Sequence, residues 1–283
     1  MTSVKAICRK DFLEGLFPII VEAGAFLLER RLGGSGGLDI RTKADSTPVT
    51  AADVEAENII VSALVKHTPD IPVIGEEAVS DAGETDVPES FWLVDAVDGT
   101  RSYMTGGKEF TVNIGLITQG RPVMGIVYAP AFDDARCFIG AEGVGAFMRT
   151  KDDHVWRPIH VKRDDSIVLV SRLHEGDVNL NNFLETVPDG QCRRMGSSVK
   201  FCLIACGEAQ YYPRFSPTHE WDTAAGDAIL RAAGGHVMVG GGGPLLYGKA
   251  MLKNMAFLAH CGFSSESKGL AESLGAMLER VQL

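Results

Sequence analysis

Apolar residues recur at helical spacing from about residue 9 to residue 31. Phe12, Leu16, Ile19, Ile20, Ala23, Phe26 and Leu27 fall on one face, which predicts an amphipathic helix. A Gly-rich breaker follows at 33–37, and a second helix is predicted over 50–67, with Ile59, Ile60 and Leu64 as its apolar positions. The period then shortens. Strands are predicted at 72–75 and 91–95, and a hairpin joins 111–118 to 121–128 across Gln119-Gly120. Segments 136–139 and 145–148 extend an antiparallel sheet. Segments 156–161 and 167–171 lead into a second lobe, whose helices are predicted at 179–187, 198–205 and 223–233. No repeat or low-complexity linker interrupts this α and β alternation. The expected class is α/β (α+β), with one lobe over 1–150 and a second over 151–283.

Within this pattern acidic residues stand at strand ends. Phe91-Trp92-Leu93-Val94 delivers Asp95 and Asp98, followed at once by Gly99-Thr100. Two carboxylates held close together repel each other, and a divalent cation would remove that penalty. Backbone N–H groups just after Gly99 could receive a phosphate at a helix start. A plain Asp-Gly surface turn explains the segment about as well. Val73-Ile74-Gly75 runs into Glu76-Glu77 in the same way, although a solvated charge pair opening the acidic loop to Glu89 would suffice there. Asp45-Ser46-Thr47-Pro48-Val49-Thr50-Ala51-Ala52-Asp53 contains Thr50-x-x-Asp53, a helix capping box. In Glu220-Trp221-Asp222-Thr223, Asp222 reads as the N-cap of the last predicted helix, which Gly234-Gly235 stops.

As an ordered set these segments resemble the lithium-sensitive, Mg²⁺-dependent phosphomonoesterases. That group includes the inositol monophosphatases, the 3′(2′),5′-bisphosphate nucleotidases and, more distantly, the fructose-1,6-bisphosphatases. The resemblance runs from the first helix to beyond Gly235. Two regions tilt it toward the bisphosphate nucleotidase branch. One is Glu109-Phe110-Thr111-Val112-Asn113-Ile114-Gly115-Leu116-Ile117. The other is Gly196-Ser197-Ser198-Val199-Lys200-Phe201 with Tyr212-Pro213-Arg214-Phe215. One departure is Ala96, where the family usually has Pro between the two aspartates; Ala can adopt the same φ but does not stiffen the turn.

The resemblance implies a layered α/β/α/β/α sandwich and a site at the junction of the lobes. It implies two or three Mg²⁺ held by Glu76, Asp95, Asp98, Asp222 and the carbonyl of Val97, with Asp53 serving a weaker cation or its water. Thr100, supported by Glu76 or Asp53, would orient the attacking water, and Gly99 and Thr100 amides would hold phosphate oxygens. Ser197, Lys200 and Arg214 would contact the substrate together with Asp222, Lys200 and Arg214 meeting a second phosphate. Lys200 as a solvated helix residue and Arg214 as a structural ion-pair partner are the plain alternatives. The implied reaction is hydrolysis of adenosine 3′,5′-bisphosphate to AMP and phosphate. An inositol-monophosphatase-like or broad sugar-phosphate phosphatase is the nearest alternative, and a non-catalytic nucleotide or metal sensor belongs to a different class.

Composition narrows the partners. The 283 residues carry a net charge of −10, which disfavours nucleic acid and anionic membranes. Small phosphates remain possible where cations and local basic residues invert the field. The chain is 45% hydrophobic, enough for a sizeable core, yet no run approaches a membrane span. Cys8, Cys137, Cys192, Cys202, Cys206 and Cys261 form no Cys-x-x-Cys, and Cys202 and Cys206 read as core packing. The expected compartment is a reducing cytoplasm, and the resemblance allows peripheral association with an inner membrane. Gly240 to Gly243 lacks the Lys-Ser/Thr ending of a phosphate loop and reads as a turn. His219 is the one histidine beside the acidic segments, and it reads as structural.

Overall fold

The fold is taken from a computed structural model, which describes residues 4–32, 40–42, 48–79, 87–132, 134–163, 166–172, 177–187, 190–263 and 275–279. The breaker at 33–37, Asp45 and residues 80–86 of the acidic loop lie outside these. A short helix α1 (Val4–Ile7) precedes α2 (Lys10–Leu32). Strands β1 (Ile40–Thr42) and β2 (Pro48–Thr50) pair with each other and lead into α3 (Ala51–His67). A seven-stranded sheet follows. It contains β3 (Val73–Gly75), β4 (Ser90–Asp98), β5 (Thr111–Thr118), β6 (Arg121–Ala129), β7 (Arg136–Ala141), β8 (Gly145–Arg149) and β9 (Arg157–Ile159), in that spatial order. The one-turn helices α4 (Glu76–Val79) and α5 (Thr100–Met104) sit at the ends of β3 and β4.

The second sheet is ordered β11-β10-β12-β16-β14. Its strands are β10 (Ile167–Val170), β11 (Gln191–Arg194), β12 (Tyr211–Arg214), β14 (His236–Met238) and β16 (Phe257–His260). A two-stranded ribbon joins β13 (Thr218–His219) to β15 (Lys253–Asn254). The helices of this half are α6 (Val178–Thr186), α7 (Val199–Ala205) and α8 (Ala224–Ala232). The expected elements are present within one to three residues at each end. One assignment changes: residues 157–159 close the edge of the first sheet, beside β8, rather than opening the second lobe. The chain therefore changes sheets between Ile159 and Ile167, not at 150.

Side-chain alternation along β4 explains the layers. Trp92 and Val94 face one way, into a core with Leu16, Ile20 and Leu27 of α2 and Ile60 and Leu64 of α3. Phe91 and Leu93 face the other way, into a core with Phe201 and Ile204 of α7, Ile229 of α8, and Tyr212 and Phe257 of the second sheet. The far side of that sheet packs Val168 and Leu258 on Leu180, Phe183 and Leu278. The result is helix, sheet, helix, sheet, helix, the expected sandwich. Its middle layer comes very close to the first sheet. Gly115, Gly125 and Gly140 are register partners across β5, β6 and β7. A Cβ on Gly125 would lie 2.2 Å from the Ala225 carbonyl oxygen, and one on Gly115 2.9 Å from the Ala225 amide nitrogen. Among the described residues, no helix is long and apolar enough to cross a membrane.

Candidate active site

The two aspartates of β4 owe their geometry to a register shift. Asp95 pairs with Asn113 of β5 and Asp98 pairs with Thr111, so three steps on one strand match two on the other. This is a β-bulge, a device that re-aims side chains. The sequence reading ended the strand at Asp95; the strand instead runs through the bulge to Asp98. Gly99 then takes φ +97°, a left-handed angle suited to glycine, and α5 begins at Thr100. A Cβ there would also lie 2.7 Å from the Glu109 carbonyl oxygen. The Thr100 hydroxyl donates to the Val97 carbonyl at 3.1 Å.

Carboxylate oxygens of Glu76, Asp95 and Asp222 lie within 4.8 Å of one another. They come from the start of α4, the middle of β4 and the turn before α8. Asp95 is 1% exposed; its Oδ1 accepts from the Val97 amide at 2.8 Å, while its buried Oδ2 has no hydrogen-bond partner among the described residues. Burial pushes the Asp95 carboxyl well above the usual range, and Glu76, Asp98 and Asp222 push it further. Asp222 is raised for the same reason, burial first and then Asp98 and Glu76. Asp98 is raised by burial, against the opposing pull of Lys200 and the Ser198 amide. Mutually repelling buried carboxylates with an orphaned oxygen fit a hard, oxygen-loving divalent cation such as Mg²⁺.

One sequence reading changes here, and another holds. Asp222 does not cap α8. Thr223 holds the N-cap position, and Asp222 Oδ2 instead accepts from the His219 amide at 2.9 Å, leaving the carboxylate in the acidic cluster. Asp53 does form the capping box: the Thr50 amide and hydroxyl both donate to its Oδ2, at 2.7 and 2.5 Å. It is outside the tight group of Glu76, Asp95 and Asp222. His219 stacks on Trp221 with ring centroids 4.5 Å apart, a packing role.

A cavity of about 710 Å³ opens beside the cluster, and Asp98, Gly99, Ser197, Lys200, Arg214 and Asp222 all help line it. Lys200 is not a solvated helix residue: it is 2% exposed, on a helix buried along its whole length. Its Nζ donates to the Ser197 carbonyl at 2.5 Å and sits 4.6 Å from the centroid of the Tyr212 ring. Burial pulls the Lys200 ammonium down to about 8, although Asp98 opposes that shift. Ser197 precedes α7 in a left-handed conformation, φ +54°. Arg214 donates to the Ser171 hydroxyl and the Ser216 carbonyl, both at 3.2 Å, and closes no ion pair among the described residues. A different cavity, about 800 Å³, lies against His236, His260 and the Gly241–Gly243 turn and shares no wall residue with this one.

Several participants escaped the sequence reading. Glu109 accepts from the Gly196 amide at 2.8 Å and from Arg172 Nε and Nη2 at 2.8 and 2.6 Å, which holds its carboxyl below the usual range. Ser198 bonds to Thr111 and Asn113, and its amide donates to Asp98. The available signal was a polar stripe at every second position, Glu109, Thr111 and Asn113, in an otherwise apolar stretch.

The chain has recognisable relatives among known proteins. The inositol monophosphatase family profile matches residues 10–274. The chain is 42% identical over 215 residues to the 3′(2′),5′-bisphosphate nucleotidase CysQ of Escherichia coli (strain K12), covering 76% of this chain and 85% of that protein. It is 30% identical over 236 residues to a fructose-1,6-bisphosphatase/inositol-1-monophosphatase of Aquifex aeolicus, covering 82% and 87%. The crystal structure of CysQ from Bacteroides thetaiotaomicron superposes with a TM-score of 0.72 at 33% identity, covering 87% of this chain and 95% of that one.

Proposed function

The chain belongs to the inositol monophosphatase family, and on that premise we propose that it hydrolyses adenosine 3′,5′-bisphosphate to AMP and phosphate in a Mg²⁺-dependent reaction. One observation carries the reading: Asp98 and Asp222, the latter a member of the acidic cluster, line a single cavity together with two cations, buried Lys200 and half-buried Arg214. An inositol monophosphate has one phosphate to offer such a site, and a bisphosphate nucleotide has two. The similarity to CysQ nucleotidases supports the same choice.

Glu76, Asp95, Asp98, Asp222 and the Val97 carbonyl would hold two or three Mg²⁺ ions, with Asp53 reserved for the weakest of them or its water. When bound, the metal would neutralise phosphoryl charge and make water a nucleophile near neutral pH. The chain's own residues supply orientation. The Thr100 hydroxyl, tethered to Val97, orients the attacking water. The Gly99 and Thr100 amides hold phosphate oxygens where α5 begins. Lys200 and Arg214 take the non-reacting phosphate as charge-assisted donors. Ser197 and Asp222 complete the substrate contacts. The six free cysteines are consistent with a reducing compartment.

The test is a substrate panel with Mg²⁺: adenosine 3′,5′-bisphosphate, its sulfated analogue and inositol 1-phosphate. Both nucleotides should exceed inositol 1-phosphate in kcat/KM by about tenfold or more, the scale of one charged contact. Faster hydrolysis of inositol 1-phosphate would replace the nucleotidase reading with an inositol monophosphatase one. No turnover of any of the three would favour a sensor.

A further inference from the structure

The polar stripe on β5 has a task that its strand does not require. Thr111 and Asn113 are the register partners of Asp98 and Asp95 across the bulge. Both are buried, at 0% and 1% exposure, and so is Ser198, at 3%. Cross-strand partners project from the same face of a sheet. Here the two β5 side chains reach past the aspartates to the turn that starts α7.

The hydrogen-bond directions can be worked out from the number of protons. Ser198 has one hydroxyl hydrogen, and at 2.6 Å it goes to Asn113 Oδ1, which can only accept. The 2.8 Å contact between the Thr111 and Ser198 hydroxyls must then be donated by Thr111. Thr111 in turn accepts from Asn113 Nδ2, at a longer 3.4 Å. Asn113, Thr111 and Ser198 thus close a ring in which every bond runs the same way round, an arrangement in which each bond polarises the next.

The ring fixes a turn that would otherwise be unfavourable. Ser197 has φ +54°, a region that side chains other than glycine, Asn and Asp seldom occupy. Gly196 on one side is held by Glu109, and Ser198 on the other by the ring. With the turn held, the Ser198 amide donates to Asp98 and the Ser197 carbonyl receives Lys200. A carboxylate that the proposed function assigns to metal and a cation that lines the cavity are therefore fixed by one backbone turn.

We propose that Thr111, Asn113 and Ser198 are positioning residues whose closed hydrogen-bond ring locks the Gly196–Ser198 turn, and so sets Asp98 for metal and Lys200 for substrate. The inference rests on the functional reading above. Its test measures Mg²⁺ affinity calorimetrically without substrate, alongside kcat/KM on adenosine 3′,5′-bisphosphate, for the full chain and variants. Ser198→Ala opens the ring but keeps the backbone amide; Thr111→Val removes a hydroxyl at constant shape; Thr111→Ser keeps it. Ser198→Ala and Thr111→Val should each weaken Mg²⁺ binding and lower kcat/KM by about tenfold or more, the scale seen when groups orienting a metal ligand are removed. Thr111→Ser should stay within about twofold of the unaltered protein on both counts. The proposal is overturned if folded Ser198→Ala matches the unaltered protein in both readouts, if it melts earlier yet binds Mg²⁺ unchanged, or if Thr111→Ser falls as far as Thr111→Val. Should Thr111→Val fail to fold, the Ser198→Ala and Thr111→Ser comparison decides alone. An unaltered protein that binds Mg²⁺ but ignores the bisphosphate would sink the functional reading, and the calorimetric comparison would still judge the ring.

Discussion

Replacing Asp95 with Asn should stabilise the metal-free protein while ending its dependence on Mg²⁺. Asp95 is buried, carries an orphaned oxygen, and has the oxygens of Glu76 and Asp222 within 4.8 Å. Two unit charges at that separation repel by about 3.5 kcal/mol at an effective dielectric constant of about 20. Asp95 and Asp222 are both raised, by burial first and then by the neighbouring carboxylates, so the full charge–charge figure is an upper bound and a gain of about 2–3 kcal/mol is the expectation. At about 2 °C per kcal/mol for a chain of this size, the melting temperature in chelator should rise by about 4–6 °C. The pH dependence gives a second check. A carboxyl whose folded pKa lies above its unfolded value keeps its proton longer in the native state. Native protein then binds more protons than unfolded protein, and stability falls as pH rises above about 4. Asp95→Asn should flatten that fall. Melts in chelator from pH 5 to 8, and in excess Mg²⁺, measure both effects. Mg²⁺ should raise the melting temperature of the unaltered protein and scarcely move the variant. A variant that melts lower in chelator, or that keeps its full Mg²⁺-induced stabilisation and turnover, would refute the reasoning.

Three further outcomes are expected. Lys200→Met keeps the buried volume but removes the charge, and should raise KM for adenosine 3′,5′-bisphosphate about 10- to 100-fold while altering hydrolysis of a monophosphate much less; steady-state kinetics on both substrates check it. His260 is pulled down to about 3 by burial, then by His236 and Arg163, and its Nδ1 accepts from the Gly262 amide at 3.1 Å. The unfolded imidazole takes its proton near pH 6.5, so stability is present above that value and lost on acidification; denaturant titrations should show a loss of about 2 kcal/mol by pH 5 that His260→Gln does not suffer. Gly125→Ala would place a methyl 2.2 Å from the Ala225 carbonyl, and should cost about 1–3 kcal/mol of unfolding free energy, read from the same titrations.

The carboxylates were legible because a charge at the end of an apolar strand demands a reason, and the sequence places four of them in that setting. The helices α2 and α3 were legible from long 3.6-residue periodicity, and the β5–β6 hairpin from Gln119-Gly120, whose φ angles of +49° and +72° suit such a turn. What could not be read depends on contacts between distant segments. The Asp95–Asp98 bulge exists only relative to β5. The burial of Lys200 follows from α7 lying between two sheets, whereas its sequence alone allows a solvated face. Asp222 reads as a cap because Asp before an Ala-rich helix fits that role locally; in the fold Thr223 takes the cap position and the His219 amide holds the Asp222 carboxylate. The short strand at 157–159 pairs with β8 because its partner is nearest in space, a fact that composition does not encode.

The glycine row under α8 has a bearing on how this protein can vary. Gly115, Gly125 and Gly140 put no side chain of their own between the central strands and the helix. Helix and sheet therefore touch backbone to backbone, with no rotamer to absorb an error. Asp222 is carried by the chain entering α8 and Asp95 by the strand beside that row, so their spacing follows from close main-chain contact between helix and sheet rather than from the shape of large packed side chains. Ordinary core positions such as Ile114 or Ile60 can exchange one apolar residue for another and let neighbours compensate. The row has no such freedom. The tolerance of the site to sequence change is thus limited at residues that carry no functional group, in the interior of a sheet.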